Sequence, residues 1–499
     1  MAPFRIVWLL TAGFINLPVL AMETGPSDFR ITEVGPALDT AFLAVNPAIV
    51  HNATSNEFLL VWSGDGDPAL AALDDEIYVQ RLNDTNGQSI GLPTRISQMG
   101  PDIATQSIRN RSHRGSFFEA LDPAVAWNNL SNEYLVVWWG DDNTAPLVDD
   151  EREIFGRRLA ADGSPLGPQF RISFMGADGD VLAQGLSPDV VYNPLENEYF
   201  VTFGGDNING VFANQEFEIW GQRITANTGE LAGAVIRISD MGSLDGDASF
   251  TAADSRIAFS PASNEYLVTW EGDDDGGTAV DGEVEIYGQR IDASNGLELG
   301  VNDFRISFLG PEGDTGYDST NPATIFNSAT DEYLVAWNGS HDEEGSVEND
   351  IEVFSQRISI TGELLGSANR ISAMGPGGLS IYWGLNPAVA VRQSTGEYLV
   401  VWRGEDNHGE LVNNEFEIYG QVLTPEAQLR GRRYRLSNMG PDGTSQWGVG
   451  LPALASNPEQ DGFLLVWDGQ DDRADLTPGE VEVFGQFLDA DVLFTSGFE

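Results

Sequence analysis

The 499-residue sequence has no cysteine, only four histidines and only 25 lysines and arginines together. The missing cysteine excludes disulfides, thiolate zinc sites, thioether-linked haem and cysteine nucleophiles, so a metal would have to be held by oxygen or histidine. Set against 77 acidic side chains, the scarce basic ones leave a formal charge of −52. A field of that sign repels phosphate and anionic lipid and gathers cations, which argues against nucleic acid as a partner. Also absent are sustained helical spacing and the H-E-x-x-H, G-x-S-x-G and phosphate-cradling motifs. Beyond the first residues, no apolar run is long enough to span a bilayer.

What is present points to a folded chain of many short elements. Hydrophobic residues make up 41% and aromatics 10%, enough apolar surface to offset the entropy of ordering, and 56 glycines and 24 prolines supply turns. One arginine, Arg5, precedes an apolar run from Ile6 to Ala21 that is broken by Asn16 and Pro18. It predicts a secretory signal peptide over residues 1–21 and an exported protein, secreted or periplasmic, with no membrane span after cleavage. Residues 22–488 are expected to form one unit and 489–499 a tail.

The segment NEYLVVWWGDD at Asn132–Asp142 recurs around the aromatic anchors Trp62, Trp138, Phe203, Trp270, Trp337, Trp402 and Trp467, with gaps of 76, 65, 67, 67, 65 and 65 residues. A fixed period of this length means a stacked or radial repeat. Each unit holds four runs of strand length. The first reads NPAVA, as at Asp122–Ala126, and the second is the EYLVVW run. The third is typified by VEIYGQRI at Val284–Ile291 and the fourth by FRIS at Phe304–Ser307. Short turns between them predict an antiparallel four-stranded meander.

Seven such units without helices predict an all-β, seven-bladed β-propeller. The last unit lacks its fourth run, whereas FRIT at Phe29–Thr32 stands alone near the start. The N-terminal strand is therefore expected to complete the last blade and close the ring, covering an edge that would otherwise be exposed.

Blades of the form NPxVxxNxxxNEYLVVWxGDD, then EIYGQRL, then LGxxFRIS resemble those of secreted bacterial β-propeller repeat proteins over nearly the whole chain after the signal segment. The resemblance implies the architecture. It does not imply an activity, because propellers serve as hydrolases, lyases, lectins and docking platforms alike.

Residues found in every blade are expected to hold blades together. The anchor tryptophans and the third-strand aromatics Tyr78, Phe155, Trp220, Tyr287, Phe354, Tyr419 and Phe484 should fill the layers between blades. Glycines such as Gly156 and Gly221 inside the third strand suggest bulges or close backbone approach. Glu76, Glu153, Glu218, Glu285, Glu352, Glu417 and Glu482 should pair across strands with Arg95, Arg171, Arg237, Arg305, Arg370, Arg435 and Arg30, each contributing about 0.2–1 kcal/mol. The basic run Leu429–Ser437 is expected in the turn between strands three and four.

The loops after the second and fourth strands leave on one face, and they are rich in acids. Dense carboxylates in glycine-rich loops suit a hard cation such as calcium. The best cluster is Asp273, Asp274, Asp275, Asp281 and Glu283; the second is Asp141, Asp142, Asp149 and Asp150. No loop has the regular D-x-D-x-D-G spacing, and solvated acidic loops are the simpler alternative.

Ligand specificity should come from where the repeats differ. The insertion Ile103–Leu121 carries Arg109, Arg111, His113 and Arg114, and the corresponding loops carry Tyr317, Tyr382, Trp383 and Trp447. Arginines beside aromatics on one face suit an acidic sugar or another anionic ligand; the simpler alternative is a basic patch that docks on neighbouring acidic loops and neutralises them. The expected function is an exported, non-catalytic binding or adhesion module, monomeric, that recognises a cation, a glycan or an extracellular or periplasmic protein. The alternatives are a polysaccharide-active enzyme, lyase or glycosidase, and a calcium-stabilised platform.

Overall fold

The computed structural model describes residues 28–489 except 35–39, 41, 66–74, 101–117, 207–213, 244, 275–279, 312, 342–349, 376–380, 407–410 and 473–475. Seven four-stranded antiparallel sheets make up the β-propeller, and no helix occurs among the described residues. Blade one spans Ala44 to Arg95, two Ala120 to Arg171, three Gly185 to Arg237, four Ala252 to Arg305, five Ser319 to Arg370 and six Gly384 to Arg435. Blade seven combines Gly448 to Asp489 with the N-terminal strand Phe29–Arg30, which pairs with the strand Glu482–Asp489.

The alternation of the second strand explains the layers. In EYLVVW one set of side chains faces the preceding blade and the other the next. Tyr134, Val136, Trp138 and Phe155 of blade two thus share a core with Leu59, Val61, Ile77 and Val79 of blade one. Trp138 stacks on Phe155 with ring centroids 6.5 Å apart, and Trp337 on Phe354 at 6.3 Å. Trp62, Trp138, Trp270, Trp337, Trp402 and Trp467 are the largest fully buried side chains, as their repetition predicted. Gly221 sits where a Cβ would lie 2.5 Å from the Phe200 ring, and the ladder to the fourth strand shifts register just after it.

The cross-strand pairs are present but stronger in kind than a surface pair. Glu417 accepts from Arg435 at 2.5 Å, from the Ser437 hydroxyl and from the Met439 amide at 3.0 Å, all with the carboxylate buried. Glu153 with Arg171, Ser173 and Met175 repeats the knot, as do Glu218, Glu285 and Glu352 with their own arginine and serine. At the ring closure Glu482 takes Arg30, Thr32 and the Val34 amide, so the N-terminal strand rebuilds the same knot. Burial pushes Glu153, Glu417 and Glu482 up to about 7 against the pull of the guanidinium beside each. A buried, multiply bonded pair of this kind costs roughly 3–5 kcal/mol to break, well above the half-exposed value expected from sequence.

One expectation changes. Leu429–Arg435 is the fourth strand of blade six, not a turn. Its arginines are engaged there: Arg430 with Glu397, Arg433 with Asp406 at 2.7 Å and Arg435 with Glu417.

Candidate functional site

The acids of the loop-bearing face serve the loops themselves. Asp141 accepts the amide of Asp150, Asp206 that of Gln215, Asp273 that of Gly282, and Glu405 that of Asn414, each nine residues on. In blade seven Gln470 does the same for Gly479. Every one of those donors has a left-handed φ, between 65° and 94°, so the latch holds a turned backbone in place. The next residue in sequence reaches the following loop: Glu151 takes the Gly179 amide and Glu283 the Gly313 amide, both at 2.9 Å. Asp142 and Asp274 accept the amides of Gly100 and Gly242.

Asp149, Asp150 and Asp281 are exposed, and Asp275 lies outside the described residues. Burial pushes Asp141 up to about 7 and Asp273 to about 6, with neighbouring carboxylates adding to the effect. Among the described residues, no three acidic or histidine side chains converge as a metal cage.

The aromatics expected at a ligand site are half-buried and pack on the glycine that opens their own loop. A Cβ at Gly310 would lie 2.5 Å from Tyr317; the same holds for Gly375 with Tyr382 at 2.3 Å and Gly440 with Trp447 at 2.4 Å. Phe118 on Gly100 and Phe250 on Gly242 continue the series. The insertion therefore leaves from and returns to the same anchor pair as the other loops. Trp383, beside Tyr382, offers its carbonyl to the Glu405 amide at 3.0 Å. Arg109, Arg111, His113 and Arg114 lie outside the described residues.

Sequence reasoning passed over the centre of the ring. A cavity of about 460 Å³ occupies it, lined by the first strands of all seven blades. The third residue of the first strand, just inside the loop-bearing face, is Asn46, Asp122, Ser187, Asp254, Asn321 or Asn386, each with φ near 50°. In blades one to six the ladder shifts register across this residue. Such a bulge turns a polar side chain inward. Proline follows in five of these blades, and is tolerated because the innermost strand is an edge with no partner on its channel side. Further in, the lining turns apolar with Ile49, Val125, Val389 and Leu454.

The polar end is lopsided. Where blades one, two, five, six and seven have alanine after the bulge, blade three has Asp189 and blade four Arg256. Asp122, Asp189, Asp254 and Arg256 all line the cavity. Asp122 is held by the Trp139 indole at 2.7 Å and by the Asn46 amide group, and burial raises its pKa. Asp189 accepts the amide of Ile257 in the next blade at 3.0 Å, and burial raises it too, against the nearby Arg256 charge.

Asp254 receives no hydrogen bond from any described residue. Glu271 stands beside it across the ladder, opposite Ala253. One Glu271 oxygen accepts the Asn321 amide at 2.8 Å. Burial, and then the Asp254 charge, push Glu271 up to about 7. Two neighbouring carboxylates whose environments differ in this way form the arrangement from which acid and base roles are drawn.

No family model matches the sequence, and no curated protein matches it. Solved structures do resemble the fold. A polysaccharide lyase, an ulvan lyase, superposes with a TM-score of 0.50 at 11% identity, covering 92% of this chain and 94% of its own. A protein of unknown function from Dyadobacter fermentans gives a TM-score of 0.46 at 10% identity, over 93% and 99% of the two chains. The intramolecular trans-sialidase from Ruminococcus gnavus gives 0.44 at 9% identity, over 95% and 98%. At these identities the likeness is one of fold.

The signal for the cavity was in the sequence: asparagine, aspartate or serine in the middle of a strand, before proline, is a turn residue out of place. The departures SPD at Ser187–Asp189 and DSR at Asp254–Arg256 mark where the ring loses its symmetry.

Proposed function

We propose that this protein is a carbohydrate-directed propeller, exported, whose site is the loop-bearing end of the central cavity, and that it acts there as a polysaccharide hydrolase. The observation that carries this reading is the concentration of Asp122, Asp189, Asp254 and Arg256 in one cavity otherwise built from repeated Asn-Pro-Ala. A concave site with a few convergent polar groups and perturbed carboxylates is the default place for chemistry. The neighbouring carboxylates Asp254 and Glu271 favour an enzyme over the non-catalytic module. Asp122, on the cavity wall with its pKa raised by burial and also by the Asp254 charge, gives its proton to the glycosidic oxygen, and Glu271, raised to about 7, stands behind the wall beside Asp254. Asp254 takes the proton of the attacking water, or attacks the sugar carbon itself. Asn46, Asn321 and Asn386 offer paired donors and acceptors to sugar hydroxyls.

The ulvan lyase of like fold acts on a polysaccharide by its name, and that agrees with this reading without deciding it. Among the described residues no helix is long and apolar enough to cross a membrane. Calcium held at the acidic rim, by Asp273 and its neighbours or by Asp141 and its neighbours, remains a proposal. A melting-temperature rise in millimolar calcium but not in sodium at matched ionic strength supports it; equal responses remove it.

The functional reading is tested by incubating the protein with ulvan, arabinan and a sialylated oligosaccharide and assaying for new reducing ends. Turnover that disappears in Asp254→Asn supports the hydrolase. Retention on one glycan without product returns the reading to a binding module.

A further inference from the structure

The second strand of each blade ends in an aromatic, one intervening residue and glycine. The aromatic and the glycine hardly vary, yet the residue between them is Ser63, Trp139, Gly204, Glu271, Asn338, Arg403 or Asp468, different in all seven blades. Drift at a solvated position does not explain this. Ser63, Trp139 and Asn338 are buried and the larger polar members half-buried. A buried position whose only duty is packing blade on blade would be as uniform as the tryptophan before it.

Four of the seven, Trp139, Glu271, Asn338 and Asp468, reach the cavity lining. Trp139 donates to Asp122 in its own blade at 2.7 Å. Asn338 accepts the amide of Asn386, in the next blade, at 3.0 Å, and donates to Thr320 at 2.8 Å. Glu271 does the same for the Asn321 amide at 2.8 Å. Asp468 accepts the Leu451 amide at 2.8 Å. Asn321 and Asn386 are bulge residues with left-handed φ, so the residue behind each one pins the turned backbone that carries its side chain, and the Asn386 side-chain amide then donates to Asn321 at 3.1 Å. The Arg403 guanidinium lies 3.9 Å over the Phe416 ring, while in blade two the Arg152 guanidinium lies 5.4 Å over Trp139, the two roles exchanged between strands.

We propose that this position sets the specificity of the cavity through the members that touch its wall: Trp139, Asn338 and Asp468 are positioning residues that orient and polarise the lining groups, so that one asymmetric sugar is accepted in one orientation. The inference rests on the cavity being the glycan site, and it locates the discrimination behind the lining and not in the loops. Different residues at one register hold the wall groups in different settings from blade to blade. Such a ring can distinguish the positions of a hydroxyl around a pyranose without placing a new group in the cavity.

The test uses two conservative variants of the full chain, Trp139→Phe and Asn338→Asp. The first removes the hydrogen bond to Asp122 but keeps an aromatic ring beneath Arg152; the second keeps an acceptor for the Asn386 amide, adds charge and gives up the donor to Thr320. KM and kcat, or retention where no product forms, are measured on ulvan, arabinan and the sialylated oligosaccharide, with the melting temperature as the structural readout. The expected result is a change in preference between glycans of roughly three- to tenfold, the size of one hydrogen bond, carried by KM, with the melting temperature held within a few degrees. An unchanged preference, or one that shifts only in step with lost stability, overturns the inference. Failure of the wild-type chain to bind or turn over any of the three overturns the cavity reading itself and this inference with it.

Discussion

The knot between the third and fourth strands and the wall of the central channel are built by opposite rules. The Glu-Arg-Ser knot recurs around the ring, down to the arginine and threonine that the N-terminal strand brings to blade seven. At the channel, two wall positions of each blade and the residue behind them read Asn46-Ala48-Ser63, Asp122-Ala124-Trp139, Ser187-Asp189-Gly204, Asp254-Arg256-Glu271, Asn321-Ala323-Asn338, Asn386-Ala388-Arg403 and Leu451-Ala453-Asp468, and no two sets agree. Seven blades that must pack alike need one solution seven times. A ligand without sevenfold symmetry needs seven solutions once, and the contrast separates residues that make the ring from those that use it.

The largest effect is expected at the seam between the N-terminal strand and blade seven. Deleting residues 28–34 strips Glu482 of Arg30, Thr32 and the Val34 amide and opens the edge of blade seven. The loss should exceed the roughly 3–5 kcal/mol of a broken buried pair, visible in calorimetry as a large drop in melting temperature; a small drop would mean that the strand does not close the ring. Next comes Glu417→Ala, which leaves the half-buried Arg435 only the exposed Asp442 for a carboxylate and strands the Ser437 hydroxyl and Met439 amide. It should cost about 3–5 kcal/mol in denaturant unfolding while leaving glycan preference unaltered, since neither Glu417 nor Arg435 lines the cavity.

A smaller effect should appear with pH. Asp141, Glu153, Glu271, Glu417 and Glu482 are raised to about 7, and Asp273 and Asp468 to about 6. The folded chain therefore holds protons that the unfolded chain has released above about pH 4–5. Stability should rise as pH falls from 8 to about 5, with the negative net charge relaxing in the same direction. A melting temperature higher at pH 8.5 than at pH 5.5 would mean that these carboxylates are stabilised as anions.

How far the sequence could be read follows the same division. The ring, its closure by Phe29–Thr32 and the burial of the tryptophans were legible because each is written repeatedly at a fixed period. The Glu-Arg pairs were legible as pairs, but their burial was not, because nothing local to VEIYGQRI tells how deeply the next blade covers it. The acidic loops suggested a cation rim; hydrogen bonds nine residues apart, such as Asp273 with the Gly282 amide, are set by the loop's turned backbone and not by composition. Attention to loop differences led toward the insertion and away from Asp189 and Arg256, whose departure from alanine is a single letter inside a strand motif. A bulge is what makes that letter face the channel, and bulges leave only a faint trace, here an asparagine or aspartate before proline.

The central claim, that the unrepeated wall is the working part of the molecule, is tested most directly by Asp254→Asn. The side chain carries no hydrogen bond from a described residue, so the fold should not need it. Reducing-end release from the polysaccharide panel should fall by about 10²–10⁴-fold, the usual contribution of an acid or base group, with the melting temperature unchanged or slightly higher. Full turnover in the variant, or turnover lost only because the chain has unfolded, would contradict the account.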